Sequence, residues 1–208
     1  MAHNLFVIGI AGASGSGKTY LMQKIKNKLE ESYFKHDNNI ETISCDDYYY
    51  ENDTLNKDLP SALELSLLVK HITMLKNGET VEIPEYNFIT QKRVYNKNKV
   101  IDGSKIKVLI VEGLFVLYDE SIRNLLNLKL FTHLDVDITL ARRLDRDTKE
   151  RNKTFVNVIH EYQSFVKPAF ISIIKPSMIH ADMIISTSET TDDTVYLDVI
   201  IQYIRCKL

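Results

Sequence analysis

Residues 12–19 read Gly12-Ala13-Ser14-Gly15-Ser16-Gly17-Lys18-Thr19. They fit the phosphate-loop pattern G-x-x-x-x-G-K-[ST]. Each residue type has a use in that order. The glycines let the backbone curl until successive N–H groups point inward, forming a nest for phosphate oxygens. A helix beginning near Lys18 adds its positive end. The Lys18 ammonium can reach the β- and γ-phosphates of a nucleotide, and the Thr19 hydroxyl can ligate Mg²⁺. Four of the 7 glycines in the chain, Gly9, Gly12, Gly15 and Gly17, lie in "GIAGASGSGKTY". The loop marks a nucleotide site and leaves open what receives the phosphate.

Three further groups could do chemistry beside it. In "SCDDYYY", residues 44–50, Asp46 and Asp47 follow an apolar run. Ligands of open α/β sheets bind beyond the carboxyl ends of strands, where a base or metal ligand is useful. In "VLIVEG", Glu112 ends an otherwise apolar strand, a poor choice for packing and a good one for holding Mg²⁺ or its water. In "ARRLDRDTKERNK", residues 141–153, Arg143, Arg146 and Arg151 are candidate clamps on transferring charge, and Arg142 reads as surface. A GTPase switch is the main contrast. No D-x-x-G occurs, and Asn56-Lys57-Asp58-Leu59 puts Leu where N-K-x-D needs its base-reading Asp. A kinase with an acceptor therefore leads.

These groups need a scaffold that brings them together. Leu5–Ala11 is a continuous apolar run, as a central parallel strand requires. A helix from about Lys18 carries Leu21, Ile25 and Leu29 on one face. Further strands are expected at Ile40–Cys45, Val108–Val111, Leu130–Val136 and Met183–Ser186. Ser61-Ala62-Leu63-Glu64 reads as a capping box opening a helix with Leu65, Leu68, Ile72 and Leu75 inward, stopped by Asn77-Gly78. "ETVEIPEYNF" reads as half of an edge hairpin returning through Val94–Val100, with Pro84 barring a central strand. An Arg-rich helix begins at Ile138, and Thr194–Ile204 reads as a closing amphipathic helix. The expected fold is α/β: a parallel sheet flanked by helices.

The 208 residues suffice for one domain, residues 1–208, with its own core. A net charge of −2 gives no reason to expect a nucleic-acid surface. Cys45 and Cys206 form no disulfide framework or zinc pattern. No apolar stretch is long enough to span a bilayer, and "LFVIGIA" lacks the basic flank of a signal peptide. A cytoplasmic location is expected.

Taken together, these motifs resemble the uridine kinase family, within the wider uridine kinase and phosphoribulokinase group. The resemblance runs through "GASGSGKT", "SCDDYYY", "NKDLPSALE", "IPEYNF", "VEGLF", "RRLDRDTKER", "EYQSFVKP" and "KPSMIHADMII". It implies a five-stranded parallel sheet with a β-hairpin (about 79–100) and a helical lid (about 146–165) over the acceptor. It implies ATP or GTP as donor, Mg²⁺, a nucleoside as acceptor and a homotetramer. By resemblance, Asp46 accepts the proton of the 5′-hydroxyl, and Thr19, Asp46 and Glu112 form the Mg²⁺ site. Asp58 grips the ribose hydroxyls. Tyr49 and Tyr86 fall at pocket positions, Tyr86 near the base. Arg143 is a ribose-side contact, and Arg146 and Arg151 are cations near the phosphates.

The base-reading shell departs from the family. Asp58 is followed by Leu-Pro-Ser-Ala-Leu-Glu instead of the usual "HPDAFD". Gln91 stands in place of a pyrimidine-reading His, Lys153 in place of a lid Arg, and Glu161 in place of a Gln. A Gln amide offers both an acceptor and a donor. The expected acceptors are thus uridine and cytidine alike. The alternatives are another riboside, such as nicotinamide riboside, or an NTPase with no small acceptor.

Overall fold

The computed structural model describes residues 4–34, 39–51, 56–187 and 193–208, without the side chains of 95–97, 193 and 194. β1 (Phe6–Gly12) runs into the glycine loop, and α1 (Lys18–Leu29) follows directly. Then come β2 (Ile40–Ser44), α2 (Leu65–Lys76), β3 (Thr80–Asn87), β4 (Lys92–Asp102) and β5 (Val108–Glu112). The short α3 (Glu120–Arg123), β6 (Leu128–His133) and α4 (Val136–Glu150) lead to α5 (Phe155–Glu161). From there the chain stays helical through wide π-type turns at Tyr162–Val166 and Phe170–Ile174, with α6 (Lys167–Ala169) between them. β7 (Met183–Ser186) and α7 (Asp193–Arg205) complete the described chain.

The main sheet has strand order β2-β5-β1-β6-β7, and every pairing in it is parallel. Helices cover both faces, which explains the unbroken apolar runs of β1 and β5. Val7, Leu109, Val111 and Phe131 pack on one face with Leu68, Ile72 and Leu75 of α2. Ile8, Ile10, Ile110 and Leu130 pack on the other with Leu21, Ile25 and Leu29 of α1 and Ile200 and Ile204 of α7. Each such side chain contributes ~1.5–3 kcal/mol on burial, whereas an exposed pair such as Lys149–Asp145 belongs to a class worth ~0–1 kcal/mol. The two apolar layers therefore hold the sheet. β3 and β4 form a separate antiparallel hairpin, with a bulge between Ile83 and Glu85 where Pro84 cannot donate.

The expected boundaries move most at two places. The helix expected from Ser61 starts at Leu65, and Pro60–Ala62 is a single 3₁₀ turn. The Glu64 N–H donates to the Tyr48 carbonyl at 2.9 Å, and the Tyr50 N–H donates to Ala62 at 2.9 Å. The Glu64 carboxylate goes to Arg93 at 2.8 Å. Residues 61–64 are thus bound to the aromatic turn and form no capping box. The strand expected over Leu130–Val136 stops at His133, because the Asp135 carbonyl already accepts from the Thr139 N–H at the start of α4. Among the described residues, no helix is long and apolar enough to cross a membrane.

Candidate active site

β1, β2 and β5 are neighbours in register, with Ser44 opposite Glu112 and Ile10 opposite Glu112. Their carboxyl ends therefore deliver the glycine loop, the Asp46 turn and Glu112 to one edge of the sheet. The topology converts three distant sequence motifs into one site.

The loop is held from below. Gly15 and Gly17 have φ of 81° and 85°, where a side chain is strained. A Cβ on Gly15 would also stand 2.6 Å from the Thr139 carbonyl oxygen. Ser16 is fully buried, its hydroxyl 2.6 Å from that of Thr132. The Thr187 hydroxyl donates to the Ser16 carbonyl at 2.5 Å. The N-cap of α1 is Gly17, which has no side chain to cap with, so the first N–H groups of the helix carry no side-chain cap. Lys18 Nζ donates to the Ala13 carbonyl at 2.9 Å.

Glu112 is buried beside this loop. It accepts from Ser44 Oγ at 3.0 Å and Thr19 Oγ1 at 3.3 Å. Burial pushes its pKa up, Lys18 opposes that, and the neighbouring Asp46 carboxylate adds to it. Burial lowers the pKa of Lys18, against the pull of Glu112 and Asp46. Ser44 also caps the turn that carries Asp46, accepting its N–H at 3.3 Å. A hydroxyl beside one or two carboxylates suits Mg²⁺, which keeps waters and phosphate oxygens for its other positions. Among the described residues, no group of three or more His, Cys, Asp or Glu converges as a metal cage.

A cleft of about 410 Å³ runs from Lys18, Thr19, Asp46 and Glu112 to a wall formed by Tyr49, Lys57, Asp58, Phe88 and Gln91. The Tyr49 hydroxyl donates to the Lys57 carbonyl at 2.8 Å and pins the loop that carries Asp58. Burial raises the Asp58 pKa, opposed chiefly by Arg143, whose Nη1 is 4.0 Å away. Tyr86 is buried one layer behind, its ring 5.3 Å from that of Tyr49 and 5.2 Å from that of Phe88, and its hydroxyl meets the Lys57 ammonium. Asp47 points toward the hairpin, where the Tyr86 N–H bonds it. Burial raises its pKa to about 6 against that bond.

The opposite wall comes from α4 and α5. Arg143 and Arg146 both reach Ser14 Oγ, at 3.1 and 3.3 Å. The Arg151 guanidinium lies 3.7 Å from the centre of the Phe88 ring. Lys153 and Glu161 pair with each other at 2.6 Å. Arg142, expected at the surface, is half-buried and donates to the Thr187 carbonyl at 3.4 Å.

The cleft thus gathers Ser14, Lys18, Thr19, Asp46, Tyr49, Asp58, Gln91, Glu112, Arg143, Arg146, Arg151, Lys153 and Glu161. Gly12, Ala13, Gly15, Ser16 and Gly17 supply loop backbone, and Tyr86 stands behind the wall. Sequence reasoning missed Ser44, Lys57, Phe88 and Asp147. Phe88 had a signal, as the last aromatic of "IPEYNF" two residues past Tyr86. The other three had none beyond proximity.

A sheet with a glycine loop, a hydroxyl and facing carboxylates at one edge, under a cationic wall, defines a P-loop phosphotransferase of the kinase type. The chain belongs to the phosphoribulokinase / uridine kinase family, whose model matches residues 7–194. It is 36% identical over 192 residues to a uridine kinase of Pectobacterium atrosepticum, covering 88% of each chain. It is 37% identical over 211 residues to uridine kinase-like protein 5 of Arabidopsis thaliana, covering 98% of this chain and 43% of that longer one. Among solved structures it is similar to one described as a possible uridine kinase from Bacillus stearothermophilus, with TM-score 0.62, 16% identity, and 87% and 88% of the two chains covered. That likeness concerns the fold.

Proposed function

We propose that the protein transfers the γ-phosphoryl group of ATP or GTP to the 5′-hydroxyl of a pyrimidine nucleoside, uridine or cytidine. The supporting observation is the single cleft that joins the phosphate loop to Asp58 and the aromatic wall, with Asp46 between them. Thr19, Asp46 and Glu112 would hold Mg²⁺, which neutralises the β- and γ-oxygens when bound. Asp46 takes the proton of the 5′-hydroxyl. Lys18, Arg146 and Arg151 face the charge that develops on the transferring group. Asp58 and Arg143 grip the ribose. Tyr49 and Phe88 flank the heterocycle with Tyr86 supporting them from behind, and Gln91, Lys153 and Glu161 line its edge. Because Lys153 and Glu161 neutralise each other, that edge suits an uncharged ring. In the same reading the hairpin 79–100 and the helical segment 146–165 close over the acceptor. On that reading the enzyme is a homotetramer, as the family resemblance implies, and works in the cytoplasm.

Steady-state kcat/KM for uridine, cytidine, adenosine and nicotinamide riboside, with ATP turnover followed in each case, tests the reading. Uridine and cytidine should both serve, within about tenfold of each other, because the exposed Gln91 amide offers both an acceptor and a donor and water can pair with whatever it leaves. A clear preference for adenosine or nicotinamide riboside overturns the pyrimidine acceptor and keeps the transfer. ATP turnover indifferent to every nucleoside overturns the acceptor altogether.

A further inference from the structure

Asp147 has no part in the transfer described above, yet it is fully buried in the middle of the cationic wall. It lies on the inward stripe of α4 with Thr139 and Arg143, at spacings of four. Three guanidinium groups converge on its carboxylate. Arg146 Nε donates to Oδ1 at 2.8 Å. Arg151 Nη1 lies 3.5 Å from the same oxygen, and Arg143 Nε lies 3.4 Å from Oδ2. Helix geometry explains the convergence. Arg143 is one turn before Asp147 and Arg151 one turn after, so both reach over the same face. Burial pushes the Asp147 pKa up, but the charges of Arg146, Arg143 and Arg151 outweigh it and hold the carboxyl below its ordinary value.

We propose that Asp147 is a positioning residue for phosphoryl transfer, fixing Arg143, Arg146 and Arg151 as one fan over the phosphate loop. Three observations give the fan a direction. Two of its tips reach Ser14 Oγ in the loop. The third is stacked on Phe88 of the opposite wall. The Asp147 carbonyl also accepts the Lys153 N–H at 3.1 Å, which turns the chain toward α5. One residue thus ties loop, wall and lid together.

The carboxylate also has a competitive role. Three like charges released from Asp147 would repel one another and seek the nearest other anions. Asp46, whose field already acts on Arg151, is one of them. An arginine drawn onto Asp46 would occupy the group that has to accept the proton. Asp147 keeps the cations near the site and off Asp46. Arg143 Nε and Asp147 Oδ2 are both buried and make no hydrogen bond. A charge-assisted bond is ~2.7–2.9 Å long, so at 3.4 Å this ion pair stops short of one.

The proposal rests on the phosphoryl-transfer reading and not on the identity of the nucleoside. Asp147→Asn keeps the size and removes the charge. It should lower kcat by about 10²-fold, the scale for losing the support of catalytic groups, with the KM for ATP changed by less than about threefold. A double-mutant cycle separates positioning from mere structure. Introduced into Arg146→Met/Arg151→Met, Asp147→Asn should cost less than about threefold more in kcat, because the two phosphate-side groups it acts through are gone and only the ribose-side Arg143 remains. Asp147→Glu keeps the charge and shifts it by one methylene. It should lose about tenfold in kcat at unchanged ATP KM, and it carries the test if the Asn variant shows no cooperative melting transition. Losses that multiply in the cycle, or a folded Asn or Glu variant with wild-type kcat, overturn the proposal while transfer by the wild type still stands. Absence of nucleoside phosphorylation by the wild type overturns the transfer reading, and this proposal with it.

Discussion

At one end of the cleft the phosphate-facing groups belong to eight consecutive residues, most of them main-chain N–H groups fixed by a sheet edge and a helix start. At the other end the walls are side chains from the Asp46 turn, the Asp58 loop, the hairpin, α4 and the segment through α5. The first end is anchored by buried hydroxyls from β6 and from the segment after β7, Thr132 and Thr187. The second depends on ion pairs and ring contacts between elements that share no sheet. Phosphate recognition is therefore built into the fold, whereas acceptor recognition is laid over it and can change without disturbing the core.

The largest expected effect probes the first end. Lys18→Ala should abolish transfer, by at least about 10³-fold, with a cooperative melting transition retained, since the ammonium bonds the loop's Ala13 carbonyl and its charge acts on Glu112 and Asp46, not on the apolar core. Near-normal turnover by the folded variant would break the contrast by removing the loop from the chemistry. Next comes the junction of the two ends. Asp46→Asn should lower kcat by about 10²–10⁴-fold, because it loses both the base and a metal ligand. Asp47→Asn should cost little in kcat, because its carboxyl bonds the hairpin main chain at Tyr86. Reversed effects for the pair would show that the turn presents the other acid. The smallest effect belongs to the far end. Gln91 is exposed on the hairpin turn at φ 56°, and Gln91→Ala should change kcat/KM for uridine and cytidine by less than about threefold, as a solvated amide discriminates weakly. A larger, nucleoside-selective loss would show that the far end is as firmly built as the near one.

Legibility in the sequence followed the same division. The loop could be read outright because its residues are contiguous and their order is the chemistry. Glu112 could be read because a carboxylate ending "VLIV" conflicts with burial unless something holds it. Asp147 could not, because a helix so rich in charge reads as solvated, and only the packing of α4 shows that one of its carboxylates is buried. The alternation of β3 misleads in another way. Val81 and Ile83 face inward, but the bulge at Pro84 makes Tyr86 the next buried residue. Strict alternation would have chosen Glu85. The helix expected from Ser61 failed because the Glu64 N–H is engaged by Tyr48, a partner 16 positions earlier in the chain. Local propensity does not see such a bond.

The buried hydroxyl of Ser16 has a kinetic consequence. A loop already fastened to Thr132 and Thr187 loses little conformational freedom when nucleotide arrives, so little of the binding energy is spent on ordering it. Nucleotide capture should then be governed by diffusional encounter and charge attraction. On the proposed reading, any slow step on the way to the ternary complex belongs to the hairpin and to α4 and α5.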